Sequence, residues 1–140
     1  MTKDELIENF SYLPDWEDKY RYLIELGESA ESMPESEKTP ENKVSGCMSQ
    51  VWISHHFKGG KHHFIMDSDA HIVKGLEAVL LILINDKTTE EILSLDIEAI
   101  FKEIGLEEHL SPTRRNGFSS MVERIHNLIN TYVESKPKMC

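Results

Sequence analysis

The chain has 140 residues, with 15 lysines and arginines against 25 aspartates and glutamates, and its formal net charge is −10. This excess of negative charge argues against a surface for nucleic acid or an anionic membrane. The length predicts a single domain, residues 1–140 with a flexible tail at about 135–140, and allows a sizeable hydrophobic core.

The two cysteines, Cys47 and Cys140, do not make a disulfide framework. The N-terminus is polar and lacks the apolar core of a secretory signal. The longest purely apolar run, residues 78–84, is far too short to span a bilayer. We therefore expect a cytoplasmic protein with reduced thiols.

Helical patterns occupy the first third of the chain. Leu6 and Phe10 have the spacing of a short helix. Asp15 is the predicted N-cap of a second helix, which begins near Trp16. Residues 33–41 are rich in Pro, Ser and Glu without apolar spacing, which indicates a surface connection.

Strand patterns follow. A short strand is predicted at about Asn42–Val44, and a hairpin at Val51–Asp67 with Gly59-Gly60 as its turn. If the two glycines are the whole turn, His56 lies opposite His63. Cys47 then lies on the loop that joins the short strand to the hairpin.

The rest of the chain has helical patterns. A buried helix is predicted over Ala70–Asn85, a capping box begins another at Thr88, and Gly105 ends a third. Ser111 is the predicted N-cap of a long last helix, Pro112–Glu134. The predicted fold is α+β, a two-layer domain in which a small antiparallel sheet of about three strands packs against several helices.

Cys47 is the first candidate for chemistry. Its neighbours are Gly, Ser, Asn and Gln, residues of turns and exposed backbone. This context allows two interpretations, a small buried structural thiol or a nucleophile displayed on a loop. The flanking residues alone leave both open.

Other polar residues have simpler explanations. The histidines of the hairpin, His56 and His63 among them, are expected to be solvated, and we predict no metal site because neighbouring lysines oppose a cation. Asp69 is a plausible N-cap of the buried helix. Arg114 and Arg115 fall in the first turn of the last helix, where the helix dipole disfavours cations, which hints at another use.

Three segments share a further pattern. They read Gly46-Cys47-x-Ser49-Gln50-Val51-Trp52, Asp67-Ser68-Asp69-Ala70-x-Ile72-Val73-Lys74-Gly75-Leu76 and Leu110-Ser111-Pro112-Thr113-Arg114-Arg115-Asn116-Gly117. In this order they resemble the signatures of the SufE family of sulfur acceptors, and the similarity extends from about Leu6 to about Val133. One departure is Met48, where the family usually has glutamine.

The resemblance implies a SufE/NifU-like fold and a role in iron–sulfur cluster assembly. Cys47 would take persulfide sulfur from a cysteine desulfurase, stimulate that enzyme and pass the sulfur to a cluster scaffold complex. Pyridoxal phosphate belongs to the desulfurase, so no cofactor is expected here and no independent catalysis. The resemblance also implies thiolate support or a partner contact for Arg114. It further implies partner contacts for Gly46, Ser49, Gln50 and Asp69.

Two alternatives come from other functional classes. One is a cluster scaffold of the IscU/NifU type, although such scaffolds present three cysteines and this chain has one internal cysteine. The other is a module that activates the desulfurase allosterically, with Cys47 structural and without sulfur transfer. Cys140 matches no family motif and is expected to be an incidental thiol.

Overall fold

The computed structural model describes residues 1–45, 49–106 and 110–135, with side chains up to residue 130. Within these ranges the chain forms six α-helices, one short 3₁₀ helix and two β-strands. In chain order they are α1 (Lys3–Ser11), α2 (Trp16–Ser29), the 3₁₀ helix (Glu35–Glu37), β1 (Val51–Lys58), β2 (Lys61–Ser68), α3 (His71–Ile84), α4 (Thr89–Leu93), α5 (Ile97–Glu103) and α6 (Pro112–Ser135). The predicted α+β class is confirmed.

The two strands form an antiparallel hairpin with the predicted register, and His56 pairs with His63. Gly59 and Gly60 form the turn, with φ of +62° and +79°. Both angles lie in the left-handed region, which glycine enters without a steric penalty and which this kind of two-residue turn requires. The hairpin prediction is therefore confirmed.

The predicted third strand at Asn42–Val44 is wrong. In the described ranges the sheet has two strands, and this segment contributes a single bridge between Lys43 and Trp52. The N–H groups of Asn42 and Lys43 already donate to carbonyl oxygens three residues upstream, in a turn. With these donors occupied, a longer ladder cannot form.

Helix α3 packs against both α2 and β2. Its side chains from Gly75 to Ile84 are buried, apart from the half-buried Ile82, which confirms the predicted buried helix. Glycine allows the close approach to α2, because a Cβ added at Gly75 would lie 2.5 Å from the carbonyl oxygen of Leu23.

Side chains cap the N-termini of several helices, as predicted. The Asp15 carboxylate accepts a hydrogen bond from the first turn of α2 at 3.0 Å, and Thr88 and Glu91 form the capping box of α4. The Ser111 hydroxyl accepts a bond from the Arg114 N–H at 3.2 Å, at the start of α6. These caps satisfy N–H groups that have no partner within the helix.

The last helix closes the core. The Phe118 ring of α6 lies 4.2 Å from that of Phe101, and Met121, Ile125 and Ile129 are buried on the same helix. Among the helices of the described ranges, none has the length and apolar character needed to cross a membrane.

Candidate functional site

The cysteine loop, defined as residues 45–50, is closed at its base by backbone hydrogen bonds. The N–H groups of Val44 and Ile53 donate to the carbonyl oxygens of Val51 and Asn42, each at 2.8 Å. These bonds tie the chain before the loop to the start of β1. The ends of the loop are thus held by regular backbone geometry.

Gly46 and Cys47, with the residue that follows them, lie outside the described residues, as does the C-terminal tail with Cys140. The predictions for these residues therefore stay predictions. Ser49 and Gln50 are described, and Ser49 is half-buried while Gln50 is exposed.

Asp69 is bound to the cysteine loop rather than to the helix that follows it. Its carboxylate accepts a hydrogen bond from the Gln50 N–H at 3.0 Å, and its own N–H donates to the Gln50 carbonyl at 3.3 Å. The N-cap of α3 is Ala70, without a side-chain hydrogen bond. The prediction of Asp69 as N-cap is therefore wrong, because the carboxylate instead binds an N–H group from a different part of the chain.

Arg114 and the cysteine loop meet at one small cavity. Arg114 is exposed in the first turn of α6. Together with Ser49, Val51 and Val73 it lines a cavity of about 40 Å³. The structure thus brings Arg114 to the described end of the loop.

Arg115 lies in a different place. It lines a second cavity of about 140 Å³ together with Glu98 and Phe101, on the side of α5. Ser49 does not belong to the lining of that cavity. The helical rotation therefore separates the two adjacent arginines, and it is Arg114 that lines a cavity with Ser49, at the described end of the cysteine loop.

Arg124 is a functional candidate that the sequence analysis missed. From the middle of α6, its guanidinium donates to the carbonyl oxygen of Glu41 and, at 3.5 Å, to that of Lys43. These carbonyls belong to the segment that leads into the cysteine loop. The sequence offers no signal for this contact, because it joins residues about 80 positions apart.

Beside the base of the hairpin, Lys38 connects Asp67 to Trp52. Its Nζ lies 3.1 Å from Asp67 Oδ2 and 5.6 Å from the centre of the Trp52 ring. Burial opposes ionisation of Asp67, but hydrogen bonds from Lys38 and from the Ser68 N–H prevail and lower its pKa. Trp52 is half-buried.

The prediction that the histidines of the hairpin are solvated does not hold for all of them. His55 Nε2 lies 2.7 Å from His62 Nδ1, and His62 Nε2 lies 2.7 Å from Thr89 Oγ1. His62 is buried, and the two rings stack at 5.0 Å. Burial, then the charges of His62 and His56, lower the pKa of His55 to about 4, so it is neutral at pH 7.

No three histidine, cysteine, aspartate or glutamate side chains within the described ranges are placed to hold a metal ion. A metal-free working protein nevertheless stays a prediction.

Glu77 is the other residue that the sequence analysis missed. It is 1% exposed, and neither carboxyl oxygen has a hydrogen-bond partner among the described residues. Burial, and to a lesser extent the charge of Asp67, raise its pKa to about 9, against the opposing effect of Lys74. Its sequence signal is a single carboxylate between Leu76 and Ile84, a stretch that is otherwise apolar.

Comparison with known proteins gives a consistent result. Residues 4–129 match the family model of SufE, described as an Fe-S metabolism associated domain. An uncharacterized SufE-like protein of Rhizobium etli is 51% identical over 126 residues, which cover 87% of this chain and 85% of that protein. An uncharacterized SufE-like protein of Rhizobium meliloti is 48% identical over 126 residues, with coverage of 87% and 90%.

A solved structure has the same fold. The solution structure of a hypothetical protein from Thermus thermophilus superimposes with a TM-score of 0.78 and covers 96% of this chain and 100% of its own. Its sequence identity is 21%, so this likeness establishes the fold alone.

Proposed function

Since this chain belongs to the SufE family, whose domain is associated with Fe–S metabolism, we propose that it accepts sulfur from a cysteine desulfurase. Cys47 carries the sulfur as a persulfide, and an iron–sulfur cluster scaffold complex receives it. The observation that carries the proposal is that residues 4–129 match the family and contain a single cysteine, Cys47.

The transfer is a thiol exchange. The Cys47 thiolate attacks the terminal sulfur of the desulfurase persulfide, a new S–S bond forms, and the desulfurase cysteine leaves as a thiolate. One sulfane sulfur changes hands without net oxidation or reduction. Removal of the persulfide frees the desulfurase for its next turnover, and this accounts for the proposed stimulation of the desulfurase.

Arg114 has the charge that this reaction needs. A guanidinium near a thiol stabilises the thiolate, which is the attacking species. Arg114 lines one cavity with Ser49, and Ser49 follows Cys47 by two positions. We assign Arg114 to thiolate support or to a carboxylate of the partner.

Asp69 and Arg124 support the cysteine loop from two directions. Asp69 binds the Gln50 N–H at the end of the loop, and Arg124 binds carbonyl oxygens of the segment before it. The proposed partner surface therefore includes Gly46, Ser49, Gln50 and Asp69 around Cys47.

In this proposal the chain binds no cofactor of its own. Release of sulfur from L-cysteine is the chemistry of the pyridoxal phosphate of the desulfurase. The proposed compartment is the cytoplasm, where glutathione and thioredoxin keep a free thiol reduced.

The principal experiment is intact-mass spectrometry after incubation with a cysteine desulfurase and L-cysteine. We expect one or more additions of about 32 Da, reversible with dithiothreitol, because a persulfide is cleaved by thiol exchange. Peptide mapping should locate the added sulfur on Cys47. A Cys140→Ser variant is the matched control and should still be loaded.

A Cys47→Ser variant separates the proposal from the allosteric alternative. It should lose both the mass addition and the stimulation of the desulfurase. If it still stimulates fully, the chain is an allosteric activator, and sulfur found only on Cys140 would refute the assignment of Cys47.

A further inference from the structure

The segment that enters the cysteine loop is hydrogen-bonded to two different elements. Bonds of 2.8 Å join the Asn42 carbonyl oxygen and the Val44 N–H to β1. The carbonyl oxygens of Glu41 and Lys43 accept from the guanidinium of Arg124, in the middle of α6. The entrance of the loop thus connects β1 to α6.

Arg124 has the chemistry that this double contact needs. A guanidinium is planar and always charged, and its N–H donors point in fixed directions. Its Nη1 and Nη2 atoms donate to two different carbonyl oxygens, and the residue is half-buried. Hydrogen bonds from a charged donor are stronger than those between neutral groups, and a fork of two donors fixes the spacing of its acceptors. Arg124 is therefore suited to hold the loop entrance in one position.

Arg124 lies on the face of α6 that meets the cysteine loop. Gly117 and Met121 line the cavity that includes Ser49. Arg124 follows Gly117 by seven residues, which is about two helical turns, and positions at this spacing share one face of a helix. Arg114 lines the same cavity and precedes Arg124 by about 15 Å along the helix axis. One face of α6 therefore contacts the loop near both of its ends.

The two arginines are joined by a rigid element. Arg124 bonds the segment before the loop, and Arg114 shares a cavity with Ser49 at the described end of the loop. The backbone hydrogen bonds of an α-helix are made within it, so α6 keeps the distance between the two positions constant. Without Arg124, the loop entrance keeps its bonds to β1 and loses those to α6. The loop could then shift relative to Arg114.

We propose that Arg124 is a positioning residue for sulfur transfer, which holds the entrance of the cysteine loop on α6 and so keeps the loop beside Arg114. Its two acceptors are backbone carbonyl oxygens, so it acts through the position of the loop. The inference rests on the proposed function and adds to it a residue whose effect depends on Arg114.

The test is a double-mutant cycle of Arg124 and Arg114 in a Cys140→Ser background, where Cys47 is the remaining cysteine. The rate of sulfur addition from a cysteine desulfurase and L-cysteine is followed by intact-mass spectrometry. Arg124→Met keeps a long, helix-favouring side chain without N–H donors, and should reduce the rate fivefold or more.

The same substitution should reduce the rate less than twofold when Arg114 is already alanine. Residues that act through one another give non-additive effects, whereas independent residues give additive ones. A merely structural role would lower the rate by the same factor in both backgrounds. That result would overturn the proposal.

Arg115→Met is the matched control for charge. It removes one guanidinium from α6 at a residue that lines the other cavity, with Glu98, and should change the rate less than twofold. A loss as large as that of Arg124→Met would show that the charge of α6 controls the rate. The position of the loop would then be excluded as the cause.

Amide hydrogen exchange tests the contact without a desulfurase. Arg124→Met should accelerate exchange at Val44 and Ile53, whose N–H groups bond across the base of the loop, while exchange in α3 stays unchanged in a folded variant. Unchanged exchange at both amides would refute the contact. A parent that gains no sulfur would refute the proposed function, whereas equal rates for the parent and Arg124→Met would refute this inference alone.

Discussion

Arg114 and Asp69 belong to different elements, yet both meet the cysteine loop. Arg114 reaches the cavity shared with Ser49 from the first turn of α6. Asp69 lies between β2 and α3 and binds the backbone of Gln50. We therefore expect different effects of their removal: loss of the Arg114 charge should affect the proposed sulfur transfer, and loss of the Asp69 carboxylate should affect the order of the loop.

Arg114→Ala should reduce sulfur transfer without loss of stability. A cation in the first turn of a helix is unfavourable by about 0.3–1 kcal/mol, so its removal should leave the melting temperature unchanged or slightly higher. The rate of persulfide formation, measured by mass spectrometry with a desulfurase, should fall. Arg115→Ala removes the same charge one position away and is the control. Equal small effects of both variants would exclude a role for Arg114.

Asp69→Ala should loosen the end of the cysteine loop. The variant lacks the acceptor of the Gln50 N–H, a bond of 3.0 Å at an exposed site, and we expect a local cost of about 1 kcal/mol. Amide hydrogen exchange at Gln50 should accelerate. Asp69→Asn retains an oxygen acceptor and should show a smaller effect. Unchanged exchange in the alanine variant would contradict this role.

The crossing of α2 and α3 sets the positions of the larger elements. Gly27 and Gly75 face each other across it, and a Cβ on Gly27 would lie 2.9 Å from the Gly75 backbone nitrogen. The neighbouring atoms are backbone, which cannot turn away as a flexible side chain can. The separation of the two helices therefore depends on both glycines.

Gly75→Ala should destabilise the fold. The new methyl group would lie 2.5 Å from the Leu23 carbonyl oxygen, and forced overpacking of this kind costs about 1–3 kcal/mol. Alanine is better than glycine in a helix by about 1 kcal/mol, which offsets part of that loss. Denaturant unfolding should show a net decrease, also for Gly27→Ala. A gain in stability for either variant would contradict the close crossing.

For the molecule as a whole, the half-buried His55 and the buried Glu77 make stability depend on pH in opposite ways. His55 has a pKa lowered to about 4, so its contribution to stability is present above its unfolded pKa of about 6.5 and is lost as the pH falls. Glu77 has a pKa raised from 4.5 to about 9. Its contribution is present below pH 4.5 and is lost as the pH rises.

Glu77→Gln should therefore become increasingly stabilising, relative to the parent, as the pH rises from about 5 to about 8. Glutamine does not titrate, whereas the parent must keep a proton that the unfolded chain releases. The expected gain is at most about 1.4 kcal/mol per pH unit, measured by urea unfolding at several pH values. Glu28→Gln is the matched control for loss of a carboxylate. A difference that does not vary with pH would mean that Glu77 is ionised in the folded protein.

The sequence alone determined the local structure of this protein and its family. The glycine turn set the hairpin register, and Asp15 and Thr88 cap the N-termini of their helices as predicted. The motif around Cys47 carried the resemblance to the SufE family. These features depend on neighbours within a few positions, where hydrophobic period, capping and turn geometry act. A single sequence is sufficient to read them.

The tertiary structure alone decided the partners of the polar groups. Asp69 is of a residue type that often caps helices, but it binds the backbone of Gln50. Arg124 binds carbonyl oxygens far away in the chain. The carboxyl oxygens of Glu77 are buried without a hydrogen-bond partner among the described residues. The predicted third strand is reduced to a single bridge, because the N–H groups of Asn42 and Lys43 are already used in a turn. The physical reason is the same in each case: the hydrogen-bond partners of these polar groups belong to elements distant in sequence, and a local pattern does not specify such pairs.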